Sequence, residues 1–384
     1  MQTAIEFTDV RYSYPQGPCS LQGISLKIRK GRKVALVGPN GAGKTTLLLM
    51  CNGILRPDSG DVKIDGEPLV YSTKRLRDVR RRVGFVFQNS DSQIFAPTIF
   101  QDVAFGPLNL GMEKQEIKEV VGNALFCVGL SGYENRPPHH LSGGEKKRVA
   151  IAGVLAMEPD ILIFDEPTSS LDPASAEEIM DLLDELNTLG KTIVISTHDV
   201  VRAFEWADEV ILISGGRILH HGPPETVFTN HDQMKESRLT MPPLLELFCE
   251  LEARGIRLGD GPPSGVLEMV HRIENIVGRP VSVAYGSIFI ADAERENGDT
   301  IRDAVREKGI SWTGAMGTRA KILAQEDGIS LDFTYGVIDK SLLKTIVGDN
   351  ALIITSGGMI TRVFDRVEKF CMEHDLHIPF LLLR

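Results

Sequence analysis

The chain has 384 residues, a formal net charge of −10, and 42% apolar against 24% charged side chains, a composition that fits about two to three globular domains. The acidic balance gives no general attraction to nucleic acid or anionic lipid, and no apolar run approaches the ~18–20 residues that a membrane-spanning helix needs. Five cysteines, Cys19, Cys51, Cys127, Cys249 and Cys371, are odd in number and widely spaced, which argues against a disulfide framework or a zinc site and suits a reducing compartment.

The N-terminus, MQTAIEFTDVRYSYP, lacks the basic and apolar regions of a signal peptide, so any membrane role is expected to go through a partner. Two strand-like runs, 4–10 and 21–28, flank a turn at Tyr14 to Gly17. The Tyr14 ring next to that turn can stack on a purine or simply pack against an edge.

Next comes an apolar strand, residues 33–37, leading into Gly38, Pro39, Asn40, Gly41, Ala42, Gly43, Lys44 and Thr45, with Thr46 opening an apolar helical run. This is the spacing G-x-x-x-x-G-K-[ST], in which glycine amides and a helix N-terminus cradle phosphates. Lys44 supplies a point charge for the β- and γ-phosphates, and Thr45 a hydroxyl for Mg²⁺. Reading the segment as a mere connecting turn leaves the Lys-Thr pair unexplained.

Residues 60–71 read as a small β segment with a hairpin signal at Asp65-Gly66. The densest basic run, 74–82, reads as a solvated helix face. A buried strand at 83–87 delivers Gln88, either an ordinary loop residue or an amide for Mg²⁺ or the attacking water. The stretch 91–111 is apolar but broken by prolines, so it forms either core or a docking face, and a helix is expected over 114–128.

Ser142, Gly143 and Gly144 begin another helix, a second anion-facing N-terminus with no lysine of its own in the turn. The apolar strand 161–164 ends in Asp165 and Glu166, and the carboxyl end of a parallel strand is where an open α/β sheet binds its ligand. Asp165 suits Mg²⁺, and Glu166 suits polarisation of the water attacking a γ-phosphate; the alternative is that both cap the next segment. A further buried strand, 192–196, delivers His198, which is structural unless it shares the site of Asp165.

The order of these motifs resembles the ABC ATPase family over residues 3–255: Walker A at 38–45, Q-loop Gln88, signature 141–145, Walker B ending at Glu166, D-loop 170–172 and switch His198. Within it, residues 88–111 resemble the ATPase subunits of energy-coupling-factor importers, especially those for cobalt or nickel. Glu145 departs from the usual Gln of the signature, a change expected to tune activity.

The resemblance implies an α/β fold, an ABC-type P-loop ATPase domain with RecA-like core, β subdomain and helical subdomain; the pattern of elements beyond it adds a smaller α/β domain. It implies ATP and Mg²⁺ as cofactors, Tyr14 on adenine, and Gln88 and His198 sensing the γ-phosphate beside the catalytic Glu166. Thr45, Gln88 and Asp165 would hold the metal. Ser142, Gly143 and Gly144 would complete the site of a second ABC chain, either an identical copy or a paralogue. Integral membrane subunits are the other implied partners, on the cytoplasmic face of the membrane. The function so implied is powering an importer of a transition metal or a vitamin, against the alternative of a soluble, nucleotide-gated scaffold.

Beyond a linker at 256–264 lies a second α/β domain, 265–384, with no resemblance to set beside it. Helices are expected at 266–277, 299–308, 319–326, 340–347 and 360–373, and strands at 281–291, 329–337, 351–355 and 378–383, in a largely parallel sheet. His374, Asp375 and His377 border the last strand and read as a solvated turn rather than a metal cluster. The second domain is expected to act as a regulatory ligand-binding or dimer-stabilising module outside the hydrolytic site.

Overall fold

The computed structural model describes residues 2–15, 17–278 and 284–383. By packing they form two compact units, one of residues 1–172 and 190–269, the other of residues 173–189 and 270–384. The helix Pro173–Thr188, which follows the Walker B strand directly, thus packs with the C-terminal residues.

In the first unit, β1 (Thr3–Ser13), β2 (Cys19–Arg29), β4 (Ser59–Ile64) and β5 (Glu67–Pro68) form an antiparallel sheet in the order β2-β1-β4-β5. The Asp65-Gly66 hairpin forms as expected, with φ of 52° and 81°, the left-handed pair that a tight two-residue turn demands. The second sheet runs β10-β9-β3-β8-β7-β6, from β3 (Lys33–Val37), β6 (Val83–Val86), β7 (Ile161–Asp165), β8 (Thr192–Thr197), β9 (Glu209–Ser214) and β10 (Arg217–Gly222). All its pairings are parallel except β9 with β10.

Every residue of β3, β6, β7 and β8 is buried, which is why these strands read as unbroken apolar runs: a parallel sheet is covered on both faces. One core joins both sheets through the helix Lys44–Cys51, whose Leu47, Leu48 and Met50 lie in the same buried cluster as Phe7, Leu26, Phe85 and Ile163.

Three helices, Ile99–Leu110, Lys114–Cys127 and Gly143–Leu155, pack on one another. The first is capped by Thr98 and runs through Pro107, so of the two prolines in the segment only Pro97 stands at a break, just before the cap. Pro107 has no N–H for the carbonyl four residues back, and the helix continues only three residues beyond it, to Leu110.

The second unit has a four-stranded parallel sheet in the order β12-β13-β11-β14, from β11 (Ile288–Asp292), β12 (Ile310–Ala315), β13 (Asn350–Thr355) and β14 (Phe380–Leu382). Of the strand expected at 281–291, residues 281–283 lie outside the described residues. The strand expected at 329–337 is absent; β12 takes its place in the sheet. Residues 329–336 follow the edge of β12 irregularly instead, with the Asp332 N–H on Thr313 O and the Thr313 N–H on Asp332 Oδ2. An aspartate side chain spent on the neighbouring backbone replaces the regular ladder. His374 packs against His271 and Phe370, and the described residues contain no group of three or more metal-ligating side chains.

Within this unit the helix Pro173–Thr188 presents an acidic row. Glu185 accepts the Thr318 N–H at the start of the helix Thr318–Glu326, Asp181 pairs with Lys321, and Asp184 with Arg362. Burial pushes the Glu185 carboxyl up to about 7 and Asp181 to about 6. A carboxyl whose pKa is raised on folding holds its proton in the native state over a range where the unfolded chain has lost it, so it stabilises at low pH and this stability is lost as pH rises through about 7. We therefore expect the unit's melting temperature to fall between pH 5 and pH 8. Glu185→Gln, which keeps an oxygen for Thr318, should raise it by a few degrees at pH 8 and leave pH 5 unchanged. Thermal melts at the two pH values check this, and a parallel shift at both would count against it.

Candidate functional site

The carboxyl ends of β3, β6, β7 and β8 bring four loops to one edge of the parallel sheet. The turn after β3 is backbone-limited. A Cβ on Gly38 would stand 2.2 Å from Ile213 O, and Gly43, at φ 102°, would place one 2.8 Å from Ser20 O. Only glycine fits both positions, and the helix Lys44–Cys51 starts from Gly43 with its first amides directed into the loop.

Lys44 is 6% exposed. Its Nζ donates to Gly38 O at 2.6 Å and Pro39 O at 3.2 Å and lies 3.7 Å from Glu166 Oε1. Burial lowers its pKa, while Glu166 and Asp165 pull it back up. The ammonium is thus solvated by the carbonyls of its own loop. Asn40, Gly41 and Thr45 are exposed at the mouth, and Pro39, Ala42 and Thr46 form its wall.

Thr45 Oγ1 donates to Asp165 Oδ2 at 2.9 Å and Oδ1 at 3.1 Å. A hydroxyl and a carboxylate so placed are the hard oxygen donors that Mg²⁺ takes, and two protein ligands leave the remaining octahedral positions for phosphate and water. The residues present fit the ion.

Asp165 faces Ser196 in register across β7 and β8. Ser196 Oγ donates to Asp165 Oδ1 at 2.5 Å and accepts the Glu166 N–H at 2.9 Å, so one buried hydroxyl holds both acidic residues. Glu166 sits at φ 47°, in the left-handed region that costs a non-glycine residue about 1 kcal/mol or more. Its carboxylate is 2.9 and 3.1 Å from His198 Nδ1. The structure therefore brings Lys44, Thr45, Asp165, Glu166 and His198 together.

Gln88 stands apart. It is exposed, and its side chain makes no hydrogen bond with Thr45 or Asp165. Tyr14 is 42% exposed, with its hydroxyl 3.2 Å from Thr46 Oγ1 and its ring edge-on to Tyr12.

Ser142 caps the helix Gly143–Leu155: Oγ accepts the Glu145 N–H at 3.2 Å, and Glu145 Oε2 accepts the Ser142 N–H at 2.8 Å. This reciprocal box gives Glu145 a local role that glutamine can also fill. The hydrogen bond from the Ser142 backbone holds the Glu145 carboxyl below its ordinary value, so its charge is spent on the helix start. Ser142 and Gly143 are exposed and Gly144 is buried; among the described residues no hydrogen bond joins them to the loop 38–45.

Sequence reasoning passed over Ser196. Its signal was present, since a serine inside the apolar run 192–196 needs a buried partner, but naming that partner requires the strand register.

Residues 21–169 match the ABC transporter family. Over 382 residues the chain is 50% identical to the energy-coupling factor transporter ATP-binding protein EcfA2 of Methanospirillum hungatei JF-1, covering 99% of this chain and 96% of that protein. The solved structure of CbiO1 from Clostridium perfringens, part of the ABC transporter complex CbiONQ, is 40% identical with a TM-score of 0.57, covering 65% of this chain and 99% of that one. The cassette MJ0796, in a dimeric post-hydrolysis state bound to ADP and Pi, is 31% identical with a TM-score of 0.53, covering 57% of this chain and 98% of that one. Full-length identity to EcfA2 joins the motifs already described, and the chain belongs to the ATP-binding proteins of energy-coupling factor transporters, ABC-family ATPases that bind ATP with Mg²⁺ and hydrolyse it.

Proposed function

We propose that the chain powers import of a transition-metal ion, cobalt or nickel, or of a vitamin, as a peripheral subunit on the cytoplasmic face of the membrane, bound to integral partners. The metal reading is supported by the likeness to CbiO1 of the CbiONQ complex. No described helix is long and apolar enough to cross a membrane. We assign hydrolysis to residues 1–255 and a regulatory role, past the linker 256–264, to 265–384.

The observation that carries the catalytic reading is the convergence of Thr45 and Asp165 on one point, with Glu166, His198 and Lys44 around it. Gly38 to Thr46 wrap the phosphates, and Lys44 exchanges its loop carbonyls for β- and γ-phosphate oxygens. Thr45, Asp165 and Gln88 would hold Mg²⁺, which would supply neutralisation of charge on the phosphates. Glu166 takes the proton of the attacking water, and His198 orients its carboxylate and senses the γ-phosphate. Tyr14 stacks on adenine. Ser142, Gly143 and Gly144, exposed or at the helix start, close the γ-phosphate site of a second chain, an identical copy or a paralogue.

Docking to the membrane partner is assigned to the surface at Phe95, Phe105 and Leu108, which are 65%, 49% and 57% exposed. Phe95 and Phe105 stack edge to face at 4.8 Å, and buried Asp102 pins the loop by accepting the Phe95 and Ala96 N–H groups. An exposed apolar patch fixed in this way suits a protein partner. Phe95→Asp should leave the ATPase rate of the isolated chain within about twofold and abolish co-purification with the membrane complex, since desolvating a charge at an interface core costs several kcal/mol. Undiminished co-purification would move the docking face elsewhere. Identifying the integral subunits recovered with the parent chain, and assaying cobalt or nickel uptake, tests the cargo.

A further inference from the structure

Lys147 lies one turn into the helix Gly143–Leu155 and is 2% exposed. Its Nζ donates to Phe87 O at 2.8 Å and Gln88 O at 3.1 Å. These are the carbonyls of the two successive peptide groups that follow Phe87 and Gln88, so one ammonium grips the backbone on the carboxyl side of Phe87 and again on the carboxyl side of Gln88. A buried ammonium is costly unless its donors are used, and a methionine would fill the same space without that cost. Burial pushes the Lys147 ammonium down to about 8, and the charge of Asp165 pulls it back up.

The same strip is tied to the same helix twice more. Lys146 pairs with Asp91 at 2.7 Å, and Gln93 bridges the Phe87 N–H at 3.0 Å to Ala150 O at 3.4 Å. Lys146 is partly exposed and salt-screened, and the Gln93 contact is long, so Lys147 is the strongest of the three ties.

We propose that Lys147 is a positioning residue for hydrolysis, locking the Gln88 backbone to the signature helix so that the Gln88 amide is held ready for the Mg-nucleotide of its own chain. The inference rests on the role proposed above for Gln88. With the backbone fixed, only the side-chain torsions of Gln88 have to be ordered when Mg-ATP arrives. Without the tie, the whole strip has to be ordered at that moment, and the entropy cost falls on the metal-bound state.

The test uses the full chain and four variants: Lys147→Met, Lys147→Arg, Gln88→Ala and the double variant Lys147→Met with Gln88→Ala. Thermal melts, ATP binding without Mg²⁺, and steady-state hydrolysis across a Mg²⁺ titration are measured for each. Lys147→Met is expected to melt near the parent and bind ATP equally well. Its Mg²⁺ requirement should rise, and its kcat fall, each by about tenfold. Lys147→Arg, which keeps donors, should recover most of the loss. In the double variant Lys147→Met should add less than about twofold to the effect of Gln88→Ala, because both lesions act through one group.

Parental kcat and Mg²⁺ dependence in Lys147→Met overturns the proposal, as does full additivity in the double variant. If Lys147→Met does not fold, Lys147→Gln, which retains an N–H donor, is judged by the same criteria. Gln88→Ala indistinguishable from the parent instead removes the role given to Gln88, an outcome read from that variant alone.

Discussion

Glu166→Gln should bind Mg-ATP as well as the parent and lose about 10²–10⁴-fold in hydrolysis rate. The amide keeps the size of the side chain and an oxygen for His198 Nδ1, which lies 2.9 Å from the carboxylate, but it cannot take a proton from water. The neighbouring Asp165 does not substitute, because Thr45 and Ser196 already occupy its oxygens. Nucleotide binding should survive, since the loop 38–45 is untouched and Gly38 O and Pro39 O still hold Lys44 in place until phosphate oxygens replace them. Equilibrium binding together with single-turnover hydrolysis checks both halves, and a near-parental rate would remove Glu166 from the role of base.

The second large effect concerns the sharing of sites between chains. Lys44→Ala should abolish hydrolysis by weakening phosphate binding, and Ser142→Arg should abolish it by filling the exposed helix start with a long side chain. Mixed in equal amounts, random pairing makes about half the dimers hybrids. A hybrid gathers both lesions at one interface and leaves the other interface intact, so the mixture should recover about a quarter of the parental rate if each interface turns over independently. Rate assays on the mixture and on each variant alone read this directly. A parental rate from Ser142→Arg by itself would mean that the turn serves no phosphate.

The catalytic edge was legible because each element there announces itself locally. Residues 34–37, 161–164 and 193–195 are apolar at every position, as strands covered on both faces must be, and the sheet delivers the residues that follow them to the same edge. The glycines at 38 and 43 are there because neighbouring backbone leaves no room for a side chain.

What stayed hidden depends on through-space pairing. Lys147 looks like one more charge in a basic helix turn until the carbonyls of Phe87 and Gln88 are seen against it. Ser196 needed the strand register for the same reason. In the second unit, residues 329–337 alternate apolar and polar as a strand would, yet Asp332 turns its carboxylate onto Thr313, while the shorter run Ile310–Ala315, broken by Gly314, joins the sheet. The row of acids on the helix Pro173–Thr188 was equally silent, since its basic partners lie more than a hundred positions away in the sequence.

The left-handed backbone of Glu166, φ 47°, sets two demands on this position against each other. Glycine would relax the turn there and make the chain more resistant to unfolding, and it would also delete the base assigned to the attacking water. Screens that reward thermal robustness alone will therefore favour chains with an idle cassette, and robustness gained at residue 166 will be a sign of lost turnover.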